Sequence, residues 1–345
     1  MHDPMHIADL ADLRYVTDEE PGISRVRRGR GFSYAKHNGG AVVGSARARI
    51  KSLAIPPAWE KVWICTDPRG HIQATGRDKE GRKQYRYHPD WEAMRDEVKF
   101  DRMAPFGAKL PRLRKLVESD LRQRGLPRTR VVALAVAVLD QTLIRVGNDR
   151  YARQNGSFGL TTITGEHADI AGQSVQLSFI GKGGAQSDVA LRNRKLANLV
   201  ADCQELGGQN LFSYRTPDGG IGAVRSDDIN DYLRAAMADD VTAKDFRTWG
   251  GSALLTEELG RLGPTEKPEK ELLAAIDRVA ELLGNTRAVC RASYLHPAVA
   301  DTHSSGDLAR IWAHSRSGRW MSRGESALLK VLGSSSSASA AALPT

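Results

Sequence analysis

The chain has little of what marks the commonest kinds of site. Cysteine is scarce: Cys65, Cys203 and Cys290 are the only three in 345 residues. They are far apart and odd in number, which excludes a disulfide framework and any zinc-type spacing and fits a reducing compartment. The nine histidines form no ligand cluster. No G-x-x-x-x-G-K-[ST] phosphate loop exists. In the nearest approach, GKGGAQS after Ile180, the lysine precedes the glycines and a strand pattern follows where a helix is needed. The most apolar stretch, Val131–Val146, is too short to span a bilayer and carries Asp140, Gln141 and Arg145, so it reads as a buried helix. The start, MHDPMHIADLADLRY, is polar and acidic, unlike a signal peptide. Metal, nucleotide cofactor and membrane are therefore all without visible apparatus, and a cytoplasmic location is expected.

Acidic residues are missing from one long stretch. Between Glu20 and Glu60 there is none, while Arg25, Arg27, Arg28, Arg30, Lys36, Arg47, Arg49 and Lys51 are basic. Such a run can wrap a phosphate backbone or simply form a solvated loop. The whole chain has 50 Lys+Arg against 41 Asp+Glu, a formal charge of +9, which favours a polyanionic partner.

Two patterns divide what is present. EKVWICT, HIQATGRD and KQYRYH alternate as strands, with PRG and KEG as turns. This predicts a small β-rich N-terminal domain over residues 1–103. From there the period is helical. RLRKLVESDLRQRGLP is basic and amphipathic, and RVVALAVAVLDQTLIRVGN is nearly all apolar, with Gly147 the expected stop. VQLSFIG and QSDVALR form a hairpin across Lys182–Ala185, and helices resume near 195–206, 226–239, 244–258 and 267–284. The fold class expected is α+β: the β-rich domain plus a larger, mostly helical domain over 104–330 that carries a small hairpin or sheet. The low-complexity segment 331–345 is expected to be a disordered tail.

Five polar positions stand beside apolar or small neighbours: Arg145 in LIRVGNDRY, Lys182 in SFIGKGGAQ, Arg247 in KDFRTWGGS, Asn285 after Gly284, and Tyr294 in RASYLHP. Each has an ordinary structural role open to it. Arg145 can complement a helix C-terminus, Lys182 can be a turn residue, Arg247 an ion-pair partner and Asn285 an N-cap, while Tyr294 can be a half-buried aromatic. Their order says more. The set Arg, Lys, Lys-x-x-Arg, Asn, Tyr, with GRDKEGRKQYRYH, GLTT and the final SY, resembles the type IB DNA topoisomerases, especially the bacterial and poxvirus-like branch. The resemblance covers roughly residues 20–320. It implies two domains that clamp duplex DNA as a monomer and relax supercoils without metal or ATP through a tyrosine–3′-phosphate intermediate. It also implies catalytic roles for Arg145, Lys182, Arg247, Asn285 and Tyr294, and a family lysine at Lys244. It places Gln84 and Tyr85 at a major-groove contact. Strand alternation puts Tyr85 and Tyr87 on one face, where a cross-strand aromatic pair is the alternative reading, and Tyr151 is a further candidate backbone contact. Nucleoid-associated DNA is the expected setting.

The chemistry needs these residue types on its own account. Guanidiniums fork onto nonbridging phosphate oxygens, tyrosine must ionise from a pKa of about 10, and a lysine ammonium suits protonation of a departing 5′-oxygen. Many family members carry histidine where Asn285 stands; an asparagine can donate a hydrogen bond to phosphate but cannot shuttle a proton. Two other readings stay open. A tyrosine recombinase shares the Arg…Lys…Arg…Tyr logic but typically has His-x-x-Arg where this chain has Lys244-Asp245-Phe246-Arg247. A non-catalytic DNA-binding protein would use the charge and the KQYRY strand alone. One geometric conflict stands out. On one straight helix from Asn285 to Tyr294 the two side chains would point to opposite faces, about 13.5 Å apart along the axis. The helix is therefore expected to bend or end before Tyr294, or the tyrosine to be held away until DNA arrives.

Overall fold

The computed structural model describes residues 4–341, with the backbone alone described for 150, 151 and 335–341. The chain divides into two compact units, Met1–Asp101 and Arg102–Thr345. The fold is α+β, β-rich in the first unit and mostly helical in the second. Among the described residues no helix is long and apolar enough to cross a membrane.

The first unit is an antiparallel sheet of β1 (Ile23–Arg28), β2 (Gly31–Lys36), β3 (Glu60–Ile64), β4 (Ile72–Arg77) and β5 (Lys83–Tyr87), in the order β2-β1-β3-β4-β5, with helices α1 (Pro4–Leu10), α2 (Gly44–Ser52) and α3 (Pro89–Asp101). Ile23, Val62, Ile64 and Ala74 bury one sheet face against Ile50 of α2. Trp91 of α3 packs with Ile7, Ala8 and Leu13. The basic stretch is an ordered edge hairpin followed by a helix, not a loop. Its strand character is hidden because Ile23 is the only buried residue of β1. Two of its cations serve the fold: Arg25 donates to the carbonyls of Ile55, Pro56 and Trp59, and Arg49 to Gln73 and the Cys65 carbonyl. Arg27, Arg28 and Arg30 remain exposed at the hairpin tip.

The second unit runs α4 (Met103–Asp120), α5 (Arg128–Thr142), α6 (Asp149–Asn155), a three-stranded sheet of β6 (Ala168–Ala171), β7 (Ser174–Ile180) and β8 (Gln186–Arg192), then α7 (Arg194–Leu206) and the short pair β9 (Ser213–Arg215) and β10 (Ile221–Ala223). It closes with α8 (Ser226–Met237), α9 (Ala243–Leu262), α10 (Pro268–Leu282), α11 (Arg287–Tyr294), α12 (Pro297–Ser304), α13 (Asp307–Ala313) and α14 (Arg323–Ala341). Val131–Leu139 of α5 are buried all round, as an apolar run without a polar face requires. On α9, Phe246, Trp249, Leu255 and Leu259 are buried. Trp249 fills the notch left by Gly107 of α4, where an added Cβ would lie 2.0 Å from the indole. Behind α9, Arg114 of α4 forks onto Asp140 of α5 at 2.7 and 2.8 Å and onto Glu325 of α14 at 2.9 and 2.7 Å. Glu325 also accepts from the Trp249 indole at 2.9 Å.

Two boundaries differ from expectation. Helix α5 stops at Thr142, five residues before Gly147, because Leu143 takes the left-handed conformation normally left to glycine. Val331 and Leu332 are buried in α14, which runs on to Ala341 through most of the segment read as a tail; residues 342–345 lie outside the described ones.

Candidate active site

The site is built where two helices end. Leu143, the C-cap of α5, has φ 55° and ψ 21°. A left-handed residue with a β-carbon costs about 1–2 kcal/mol. Packing holds it there: its side chain fills the space over Gly250 of α9, where a Cβ would lie 2.5 Å from Leu143 Cδ1. Beyond the cap the chain leaves the helix and carries Arg145. The GLTT segment backs this strand-like stretch, with Leu160 N–H donating to the Arg145 carbonyl at 2.8 Å and Thr161 N–H to Val146 at 2.7 Å. Gly159 is required for the approach, since a Cβ would lie 2.5 Å from the Arg145 oxygen.

Helix α10 ends in a Schellman motif. Gly284, at φ +58°, donates to the Glu281 carbonyl and Asn285 N–H to Ala280, both at 2.9 Å. The Leu283 carbonyl is left over. Arg247, 5% exposed on the second turn of α9, takes it: Nη2 donates to Leu283 at 2.7 Å, and Nη1 donates to the Leu143 carbonyl. One guanidinium thus caps both α5 and α10, at the end where the helix dipole favours a cation. Its Nε–H is buried without a partner among the described residues. Asn285 links the two arginines: Oδ1 accepts from Arg145 Nη2 at 2.7 Å, and Nδ2 donates to the same Leu283 carbonyl at 3.1 Å. Burial first, then the like charge of Arg145, depresses the Arg247 pKa, but a guanidinium stays protonated in proteins.

Tyr294 is the last residue of α11. The helix begins only at Arg287, with Thr286 rather than Asn285 as its N-cap, accepting from Val289 N–H. The straight helix that would oppose the two side chains never forms, because Asn285 belongs to the preceding turn. The Tyr294 ring lies over Arg247, 4.9 Å from guanidinium carbon to centroid. Burial resists ionisation of the phenol, but the charges of Arg247, Arg145 and Lys244 outweigh it and hold the pKa below the ordinary value for tyrosine. Lys244 itself is exposed on the first turn of α9, behind a capping box of Thr242 and Asp245. Cys290, one turn before Tyr294, is fully buried, and burial pushes its thiol up to about 11.

Lys182 stands at the tip of the β7–β8 hairpin between Gly181 and two glycines at φ +78°, with its side chain exposed. A pocket of about 100 Å³ is lined by Arg145, Lys182, Arg247, Leu143 and Gly284, with the carboxylates of Asp188 and Glu281 at its margin. The structure therefore brings Arg145, Asn285, Arg247 and Tyr294 into one connected group, and Lys182, on a glycine-flanked tip, lines the same pocket as both arginines. Sequence reasoning missed the two helix-end carbonyls and Ser252, a fully buried α9 hydroxyl that bonds the Tyr294 backbone. The one available signal was a serine in the apolar run WGGSALL.

In the first unit, Tyr85 and Tyr87 stack at 5.6 Å with 9° between their planes, as neighbours on one face of β5 rather than as a cross-strand pair, since they lie opposite Thr75 and Ile72 of β4. Tyr85 is 41% exposed; Tyr87 continues the stack toward Trp91. Gln84 donates to Asp78 Oδ2 at 2.8 Å. The Tyr151 side chain lies outside the described residues.

The model of the eukaryotic DNA topoisomerase I catalytic core matches residues 86–306, a span that contains all five catalytic candidates, and the model of the bacterial DNA topoisomerase IB N-terminal domain matches residues 31–78. DNA topoisomerase 1B of Acanthamoeba polyphaga mimivirus is 34% identical over 285 residues, 79% of this chain and 85% of the viral protein. The chain belongs to the type IB DNA topoisomerases. A more distant relative, DNA topoisomerase 1B of Vaccinia virus (strain Copenhagen), is 19% identical over 230 residues, 64% of this chain and 68% of that protein. As a type IB topoisomerase the chain is a DNA-acting isomerase. Gln84 and Tyr85 fall between the two matched stretches, so their role rests on the strand that carries them.

Proposed function

We propose that this topoisomerase relaxes supercoiled duplex DNA by nicking one strand through Tyr294 and resealing it. The observation that carries the reading is the phenol of Tyr294 lying over buried Arg247, with its pKa held down by Arg247, Arg145 and Lys244. The phenolate oxygen attacks phosphorus, the P–O5′ bond breaks, and the departing 5′-oxygen takes a proton from Lys182. The product is a 3′-phosphotyrosine and a free 5′-hydroxyl. Reversal restores the phosphodiester, and because the ester bond energy is conserved no nucleotide is consumed.

Arg145 and Arg247 offset the charge of the pentacoordinate transition state, and the loss of one such donor costs about 10²–10³ in rate. Asn285 contributes an amide donor and holds Arg145 in place; it moves no proton. Duplex DNA is the partner, gripped by a monomer whose first unit contributes Gln84, Tyr85 and Tyr87 and whose second contributes Lys244 and Tyr151. The division into two compact units supports a clamp.

The test is relaxation of an arbitrary supercoiled plasmid in EDTA without ATP, with mass-spectrometric mapping of the DNA-linked residue. Relaxation and an adduct on Tyr294 are expected, and Tyr294→Phe should bind DNA yet form no denaturant-stable adduct. Activity confined to a cognate site with strand exchange would instead indicate a recombinase, and retained relaxation by Tyr294→Phe would remove the nucleophile.

A further inference from the structure

Tyr294 is the terminal residue of α11, and Leu295 is already extended at φ −113° and ψ 123°. Its carbonyl is one of the orphan acceptors of a helix C-terminus, and the nearby His296 N–H needs a partner of its own. A single side chain satisfies both. Ser252 Oγ–H donates to the Tyr294 carbonyl at 3.0 Å, and the same oxygen accepts from His296 N–H at 2.9 Å. Ser252 is fully buried on α9, five residues beyond Arg247. Gly251 beside it lets the nucleophile's main chain come close: a Cβ there would lie 3.2 Å from the Tyr294 oxygen and 3.4 Å from its Cβ.

We infer that Ser252 is a positioning residue that fixes the backbone of the nucleophile to the helix carrying Arg247, and so sets the register of phenol against guanidinium. The inference rests on Tyr294 being the nucleophile. Helix α11 has eight residues and only Cys290 fully buried, so its own packing holds it weakly. The junction Tyr294–Leu295–His296 is then the place where a small rotation carries the phenol away from phosphorus. Two hydrogen bonds through one oxygen resist that rotation on both sides of the junction. Both bonds of the hydroxyl go to main-chain atoms, so it acts through the backbone.

α9 supplies its own control. Thr256, one turn on, is equally buried, and its hydroxyl donates to the Ser252 carbonyl at 2.8 Å, a bond within the helix that does not reach α11. Single-turnover cleavage of a duplex is measured at saturating DNA for Ser252→Ala, Ser252→Cys and Thr256→Val, with duplex affinity and thermal midpoint recorded for each. Ser252→Ala is expected to cleave about 10-fold more slowly, the rate equivalent of one lost buried hydrogen bond, with affinity unchanged. The pH at which its cleavage rate rises should move upward as the phenol loses its fixed place beside Arg247. Ser252→Cys, which keeps a weak donor, should fall between it and the wild type and carries the test if the alanine variant does not fold. Thr256→Val should lose stability but not rate. Equal slowing by Thr256→Val, or a wild-type rate for both Ser252 variants, would overturn the inference. Tyr294→Phe in the same assay separates the levels. If it forms an adduct, the nucleophile is elsewhere and the inference goes with it; if it is inert while Ser252→Ala is fully active, only the positioning role is lost.

Discussion

At Lys182 the fold and the proposed chemistry ask for the same freedom. Its hairpin tip has glycines at φ +78° with open space around their absent side chains, and the ammonium is exposed. A general acid on such a tip is replaceable if the leaving group needs no proton. Lys182→Ala should therefore slow cleavage of an ordinary duplex by about 10²–10⁴ and cleave a 5′-bridging phosphorothiolate at close to the wild-type rate. Single-turnover kinetics on the two substrates decide it; equal slowing on both would assign the proton to another group. The five catalytic candidates stood out in the sequence because their order resembles that of a known family, while the chemistry asks only for their side-chain types. What each touches was not. Asn285 looked like an N-cap, yet Thr286 caps the helix and Asn285 bridges Arg145 to the Leu283 carbonyl. Ser252 gave no motif, since its importance lies in a residue 42 positions away.

At the scale of elements, helix existence was clearer than helix ends. α5 announces itself by an unbroken apolar run, but its stop depends on Leu143 being held in a left-handed conformation by Gly250, a contact no local rule contains. The β1–β2 hairpin was hidden for the opposite reason, because β1 buries only Ile23 and the edge strand β2 buries none, so neither shows alternation. The elements behind the site are tied by charge. Arg114, Asp140 and Glu325 keep side-chain exposures of 20%, 17% and 10%, and they join α4, α5 and α14, while Glu325 also takes the Trp249 indole of α9. Removing one charge from a buried pair costs about 3–5 kcal/mol because the partner is left uncompensated. Glu325→Gln should therefore lower urea stability by about 3 kcal/mol at neutral pH; a loss within about 0.5 kcal/mol would class the network with surface pairs. Burial raises the Glu325 pKa, but Arg114 outweighs it and the net shift is downward from 4.5. The stabilisation is thus present above that ordinary value and is lost as pH falls through the lowered one, so the gap between variant and wild type should close in acid.

For the whole molecule the relevant quantity is charge available to phosphate. The formal +9 counts every cation alike, but Arg25 and Arg49 are spent on backbone carbonyls and Gln73, and Arg114 on two carboxylates. Arg27, Arg28 and Arg30 are exposed together at one hairpin tip. Duplex affinity should fall steeply with salt, with a log–log slope of about −0.9 per phosphate neutralised. Replacing those three arginines by glutamine should make the slope shallower by up to about 3 without altering the cleavage rate of bound DNA. Titrations between low and moderate salt provide the check, and an unchanged slope would place the hairpin outside the DNA footprint.

The double cap made by Arg247 has a consequence for how the enzyme comes into being. Its two terminal nitrogens close the ends of α5 and α10, whose sequences lie more than a hundred residues apart, and the same guanidinium lies under Tyr294. The cation proposed to activate Tyr294 is in place only after both helices have formed and met. A nascent or partly unfolded chain, however much DNA its exposed arginines attract, holds no assembled cutting centre. Under the proposed mechanism strand breakage is thereby conditional on complete folding, a safeguard against nicks made by an unfinished chain.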